Sequence, residues 1–487
     1  MDITAYRRQF ASFNSSFELA RYEYSVGPDN QFDSWRIYDR YGDLFSIDAI
    51  SDLKSIGEQI SPDLETERAS LRRLLVAAQR HFAEIKAIEI TNELAHCELS
   101  STIAWRGETL HSNQVGSHLA RISEAATRDE LTARWVDSIS RCDDLRRARL
   151  NVLDEAARTL GFDSYAASPG TTDSPLAKSA QLQSLWQETE AAYHLSFSKL
   201  FAREFPGAPQ RELNLSDLPF FQNLSWLDFF FAPRSSVEVQ AEVMRRLGVR
   251  AATEQQIRVT RTSRLRAECF PVQPPQDVKL TTPSTRAAST FLEGMEAAGS
   301  AQSFSWISST LARRHPEFVY PTEPATSRAY GFLFKYLAAD ERWLMDFLPA
   351  ANEAQVLKVA EGLKFELGLA TRLLIEDCMI ESTPDGEQSA YRVADKQIRP
   401  LLARFKQTQR TDRTHPSVQL RALAFSFVLR EHLRTRYGRR WWTTGQAGDE
   451  LVDLWNTGCR YSVEELSQAI SSEDLTFALL IDAINNG

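Results

Sequence analysis

Apolar residues recur along most of this chain at the three-and-four spacing of helices that bury one face. Leu71, Leu74, Leu75, Ala78, Phe82 and Ile85 share such a face. Ser61 predicts the cap of that helix, with Pro62 at the first helical position and Asp63 and Glu65 in the first turn. Thr127 and Glu130 carry a capping-box pattern ahead of a long charged helix. Gly161 would stop it, because glycine takes the left-handed conformation cheaply. Ser174-Pro175 opens a further helix through Leu182, Leu185, Trp186 and Ala191 to about Phe205. Capping boxes at Ser235/Glu238 and Ser462/Glu465 predict two shorter helices, the first ending at Gly248.

One stretch breaks the helical period. Between 253 and 282, Ile257-Arg-Val-Thr, Cys269-Phe-Pro-Val and Val278-Lys-Leu-Thr alternate and are separated by prolines. Their β-branched content predicts a few short strands. The helical pattern returns after Ser284, and 380–388 and 407–415 read as exposed loops. No repeat, low-complexity segment or shift in composition marks a linker. The expectation is a mainly α protein forming one continuous body, of one lobe or two.

Composition narrows the class. The 487 residues are enough for a large core, and 43% hydrophobic with 25% charged residues is ordinary for a globular chain. A net charge of −9 argues against a nucleic-acid groove as the main purpose. The basic run Arg434-Thr-Arg-Tyr-Gly-Arg-Arg440 reads as a solvated helix end. Apolar runs such as 422–429, interrupted by Ser426, fall far short of the ~20 residues that cross a bilayer. The start, Met1-Asp-Ile-Thr-Ala-Tyr-Arg-Arg, has no apolar signal core. Neither a membrane nor a nucleic acid is expected as partner. Cys97, Cys142, Cys269, Cys378 and Cys459 are scattered, without a C-x-x-C pair, and read as buried, reduced thiols of a cytoplasmic protein.

The familiar chemical motifs are missing: no phosphate-binding loop, no G-x-G-x-x-G, no G-x-S-x-G. No two of the eight histidines stand four apart on a helix. His111 and His118 are seven apart, but Gly107, Asn113 and Gly116 interrupt any shared helix. Glu89, Glu93 and Glu98 read as a solvated helix face, and Trp226-Leu-Asp-Phe-Phe-Phe231 and Phe304-Ser-Trp306 as core. Motifs alone define a helical protein without an assigned activity.

The order of several segments adds a resemblance. Ile37-Tyr-Asp-Arg-Tyr-Gly-Asp-Leu-Phe45, Leu160-Gly-Phe-Asp-Ser-Tyr-Ala-Ala167 and Arg328-Ala-Tyr-Gly-Phe-Leu-Phe-Lys-Tyr-Leu337 run along the chain in that order. They are followed by Tyr-Gly-Arg-Arg-Trp-Trp, Ala-Gly-Asp-Glu-Leu and Leu-Trp-Asn-Thr-Gly within 433–458. Together they resemble the oligoendopeptidase F and thimet oligopeptidase family of zinc metallopeptidases, in particular its shorter bacterial members. The resemblance implies a helical two-lobed clam, like the oligopeptidases and neurolysin, with a small β-sheet beside the cleft. It implies an N-terminal helical lobe at 1–170 and a catalytic-like lobe at 171–487, carrying zinc-site helices at 284–306 and 326–338.

Active members hold zinc with His-Glu-x-x-His on one helix and a glutamate on a second. Histidines at i and i+4 share a helix face, a third ligand leaves one position open for water, and the motif glutamate takes the water's proton. In Glu296-Ala-Ala-Gly-Ser-Ala-Gln-Ser-Phe-Ser305, the first ligand position falls on Glu296, the base on Ala297 and the second ligand on Ser300. The third falls on Arg328. A register one residue earlier would keep Glu296 as the base but place Met295 and Gly299 at the ligand positions. The family's catalytic tyrosine aligns near Gln419. Serine does not replace an imidazole on zinc, and a fixed cation at 328 opposes one. The expectation is therefore a pseudo-peptidase with no metal, no cofactor and no catalytic residue. Glu296 and Arg328 would form a salt bridge in place of zinc. Gln302, Tyr330 and Gln419 are candidate cleft residues, and a peptide or a protein, including an active peptidase, is the expected partner. Three alternatives stand beside it. One is an oligopeptidase-like hydrolase with a non-standard site drawn from Glu296, Ser300, Ser303, Arg328 and Tyr330. Another is a zinc peptidase rebuilt around a distant histidine such as His315. The last is a structural protein whose cleft has filled.

Overall fold

The structure is a computed structural model that describes residues 1–27, 32, 34–168, 176, 178–207, 213–232, 234–249, 256–264, 266–348, 352–381 and 415–486. It is mainly helical, with one two-stranded and one three-stranded sheet among the described residues. The Glu65–Lys86 helix buries Leu71, Leu74, Ala78 and Phe82, with Leu75 and Ile85 half covered, as their spacing predicts. Its start lies later than expected, because Ser61-Pro62-Asp63 forms a turn closed by Leu64 N–H on Ser61 O (3.0 Å). The boxes at Ser235 and Ser462 cap Ser236–Arg246 and Val463–Ser471. The expected start at Ser174-Pro175 and nearly all of the two expected loops lie outside the described residues. The described part of the helix after 174 is Ser179–Glu204.

Three expectations change. Thr127 does not cap: it lies inside Ala125–Ser140, and its hydroxyl donates to Glu124 Oε2 (2.6 Å). The run towards Gly161 is two helices, Ala125–Ser140 and Asp143–Thr159, broken at Arg141 and Cys142. At that break Cys142, fully buried, is bonded to Cys97, so these two are not separate thiols. They are 45 residues apart, and only the packing of Ile88–Ser100 beside the break brings them together. Glu98, expected on a solvated face, is half-buried and takes Arg146 at 2.9 Å. Strands β1 (Thr102–Trp105) and β2 (Glu108–His111) form an unforeseen hairpin. Arg106 (φ 47°) and Gly107 (φ 88°) supply the left-handed pair that a two-residue hairpin turn requires. Ile103, Trp105 and Leu110 bury their side chains against Val115, Leu131 and Trp135.

The predicted strands are present as β3 (Ile257–Thr262), β4 (Glu268–Gln273) and β5 (Asp277–Pro283). Their order is β3-β5-β4, with β3 parallel and β4 antiparallel to β5. The Ile3–Val26 helix covers one face of this sheet: Tyr22 meets Thr260 Oγ1 (2.8 Å), and the Thr262 hydroxyl donates to Ser25 O (3.0 Å). The other face packs on the Ala288–Ser305 helix, with Val278 against Ala301 and Leu280 against Ala297 and Ala298.

One core gathers Tyr6, Phe10, Phe13, Phe17, Leu71, Leu74 and their neighbours from the N-terminal helices. A larger one runs from Leu176 to Ile484. Polar ties join the two regions. Arg7 Nε reaches Glu317 Oε1 (3.1 Å), Arg80 reaches Thr322 O (3.0 Å), and Arg460 reaches Thr66 Oγ1 (2.6 Å). Among the described residues, no helix is long and apolar enough to cross a membrane.

Candidate functional site

The two helices expected at 284–306 and 326–338 run from Ala288 to Ser305 and from Ala325 to Leu337. The first has no polar residue at its own cap. Asp228 Oδ1, from a distant turn, accepts the Ala288 N–H (2.8 Å), and burial holds that carboxyl above its ordinary pKa against this hydrogen bond. Most of the helix's residues are buried because other elements cover it on several sides. The sheet lies on one side, Ser236 of the 236–246 helix meets Gly294 on another, and the 325–337 helix packs along a third.

That last crossing is very close. A methyl group on Gly331 would sit 2.7 Å from Ser300 Oγ and 2.8 Å from Glu296 O. One on Gly299 would sit 2.8 Å from both Phe334 Cδ2 and Tyr330 O. Only glycines allow the two backbones this approach. Ser300 adds a tie, its hydroxyl donating to Ser327 O (3.2 Å). Ala297 is buried, and Arg328 is half-exposed in the first turn of its helix.

Glu296 does not meet Arg328. Its Cγ lies over Gly331, and its Oε2 reaches Lys335 Nζ at 3.7 Å. The expected salt bridge is thus made by a different cation, two turns further along the same helix. The reason is steric: the gap left by Gly331 leads the Glu296 side chain towards 335. Gln302 and Tyr330, the expected cleft residues, are each only 1% exposed. The Tyr330 ring stands edge-on to Trp455 (6.1 Å between centroids), and burial pushes its hydroxyl pKa far up. Gln419 is half-buried in the first turn of Pro416–Tyr437.

These residues do not suit zinc. The carboxylate is held by an ammonium, the base position is a methyl group, Ser300 is spent on a carbonyl, and the fourth position is a guanidinium. Among the described residues, no three His, Cys, Asp or Glu side chains converge as a metal would need. His315 lies elsewhere: its Nδ1 is 3.2 Å from Ser70 Oγ and 3.3 Å from Glu317 Oε1, in the cluster that also takes Arg7.

A charged group that motif reasoning missed lies beside the crossing. Lys335 Nζ is 3.0 Å from Glu366 Oε1 of the Glu353–Glu381 helix. Burial alone would lower the Lys335 pKa, but Glu366, Tyr336 and Glu296 hold it well above the ordinary value. Glu293 lies one turn before Glu296, with the Ala267 backbone beside β4 in its neighbourhood. Its Oε2 is sealed from solvent with no hydrogen-bond partner. Burial raises the Glu293 pKa to about 7, with Arg266 and Lys335 opposing and Glu296 reinforcing the shift. The available signal was two glutamates at i and i+3, the only charged residues of this helix. Beyond this seam, β3 is an edge strand, with Arg258, Val259 and Arg261 exposed.

Compared with known proteins, the chain matches no family model and no curated protein.

Proposed function

We propose that the chain is a catalytically inactive homologue of the oligoendopeptidase F and thimet oligopeptidase family, built as a two-lobed clam that holds a peptide or a protein partner in its cleft. The observation that carries this reading is the crossing of the 288–305 and 325–337 helices. At the positions where the resemblance places zinc, glycine contact, the Ser300–Ser327 hydrogen bond and the Glu296–Lys335 pair occupy the space. The β3 edge supports the binding part of the reading, because an extended peptide adds to an open strand through main-chain hydrogen bonds. A metal-independent hydrolase has less support. The Ser300 hydroxyl donates to Ser327 O and that of Ser303 to Ser300 O, so neither is poised beside a base.

The test is zinc content by mass spectrometry after incubation with Zn²⁺ and desalting, followed by assay with a library of short quenched-fluorescent peptides. Zinc well below one per chain, with peptides retained but uncut, is the expected result. One tightly held zinc per chain together with cleavage would overturn the reading.

A further inference from the structure

We propose that the Cys97–Cys142 bond is a reversible redox staple of the 101–141 unit, opened by a small thiol such as glutathione and closed again by that thiol's disulfide. The inference is independent of the peptidase reading. Cys97 lies in the last turn of the Ile88–Ser100 helix, and Cys142 lies just past the Ala125–Ser140 helix. Between them the chain builds a small unit with a core of its own. Ile103, Trp105, Leu110, Val115, Leu131 and Trp135 pack together, and every buried residue of this cluster lies between the two cysteines. The bond therefore joins the two ends of the unit. A cross-link between positions 45 residues apart restricts how far the chain between them can open.

The surroundings keep the two sulfurs together once the bond is open. Arg146 grips the residue that follows each cysteine, meeting Glu98 Oε1 at 2.9 Å and Asp143 Oδ1 at 2.6 Å. It is itself buried and also donates to Ile139 O (3.0 Å). The Ser101 hydroxyl donates to Cys97 O (2.9 Å), and that of Ser112 to Glu98 O (2.7 Å). None of these contacts needs the sulfur–sulfur bond. A dithiol formed here stays at high effective concentration and closes readily. Access is one-sided. Cys142 is fully buried and Cys97 half-buried, so an incoming thiolate meets the Cys97 sulfur. That attack forms a mixed disulfide on Cys97, and Cys142 leaves as a thiolate and takes up a proton. A second thiolate attacks the small-thiol sulfur of the mixed disulfide, and Cys97 leaves and takes up a proton in turn. The pair gains two electrons and two protons, and two molecules of the small thiol become one disulfide. The other cysteines stay out of the exchange. Cys378 and Cys459 are buried, and burial raises the thiol pKa of Cys269 and Cys459.

The test equilibrates the full chain in glutathione buffers of stepped reduced-to-oxidised ratio. Free thiols are trapped with iodoacetamide, and Cys97 and Cys142 are read by peptide mass spectrometry. The expected result is a single two-electron transition in which both cysteines change together, and which retraces itself when oxidised glutathione is restored. Hydrogen exchange on the same samples should show protection of 101–141 falling about tenfold on reduction, with 288–305 and 325–337 unchanged. Arg146→Met should move the midpoint to a more oxidising buffer, because the dithiol is no longer held together. Cys142→Ser should exchange like reduced wild type in either buffer. The wild-type titration decides the matter even if that variant folds poorly. Both thiols trapped in oxidising buffer, a bond that opens only in denaturant, unchanged protection of 101–141 after reduction, or an unmoved midpoint in Arg146→Met overturns the proposal.

Discussion

At the residue scale, the seam between the two central helices depends on side chains that are absent as much as on those present. Gly331→Ala should destabilise the protein by about 1–3 kcal/mol, since its methyl group must displace Ser300 Oγ or the Glu296 carbonyl. Urea unfolding checks it, and an unchanged midpoint would mean that the helices can separate without cost. Lys335→Met removes the cation from two carboxylates, Glu296 and Glu366, of which Glu366 is only 13% exposed. A loss of about 3 kcal/mol or more is expected at pH 7, because a buried charge is left uncompensated. Glu296 was expected to pair with Arg328, but its Oε2 lies 3.7 Å from Lys335 Nζ instead. Which base the acid meets was not readable, because it depends on where Gly331 leaves room.

At the element scale, the boxes at 235 and 462 were legible because both partners are local. The cap of the 288–305 helix was not, because its acceptor is Asp228, 60 residues earlier. Asp228→Ala should cost about 0.5–2 kcal/mol, the usual value of a cap, and increase amide exchange in the first turn of that helix. The β1–β2 hairpin escaped notice because its turn is Arg-Gly rather than the stronger Asn-Gly signal. The three strands of the larger sheet were visible from short alternating runs, β-branched in β3 and β5, set apart from the helical pattern around them. Their order, with β3 parallel to β5, has no local signature.

At the scale of the whole molecule, pH acts through Glu293. Its pKa is about 7 when folded and near the ordinary glutamate value when unfolded, so between these values the folded state binds more protons. Stability therefore falls as pH rises through that window, by at most about 1.4 kcal/mol per pH unit from this one group. Thermal melts of wild type and Glu293→Gln should diverge there, with the variant's curve flatter. The N-terminal helices connect to the rest through Arg7, which meets Glu317, a residue only 1% exposed. Arg7→Met should cost about 1–3 kcal/mol, because Glu317 loses its arginine and keeps only Ser70 and His315. If the two cores unfold together, its denaturation remains a single transition. A separate early phase would show that the N-terminal helices unfold on their own.

The sequence by itself determined the helical class and the place of the three strands between 257 and 283. Each of these is written in residue type and short spacing, which local sterics and periodicity read directly. Only the tertiary structure decided that Cys97 joins Cys142, that Asp228 caps a distant helix, that Gln302 and Tyr330 are interior, and that Glu296 and Glu366 both meet Lys335. Those outcomes depend on which surfaces meet across long stretches of chain. Burial then sets the protonation and pairing of each charge, and no local pattern encodes it.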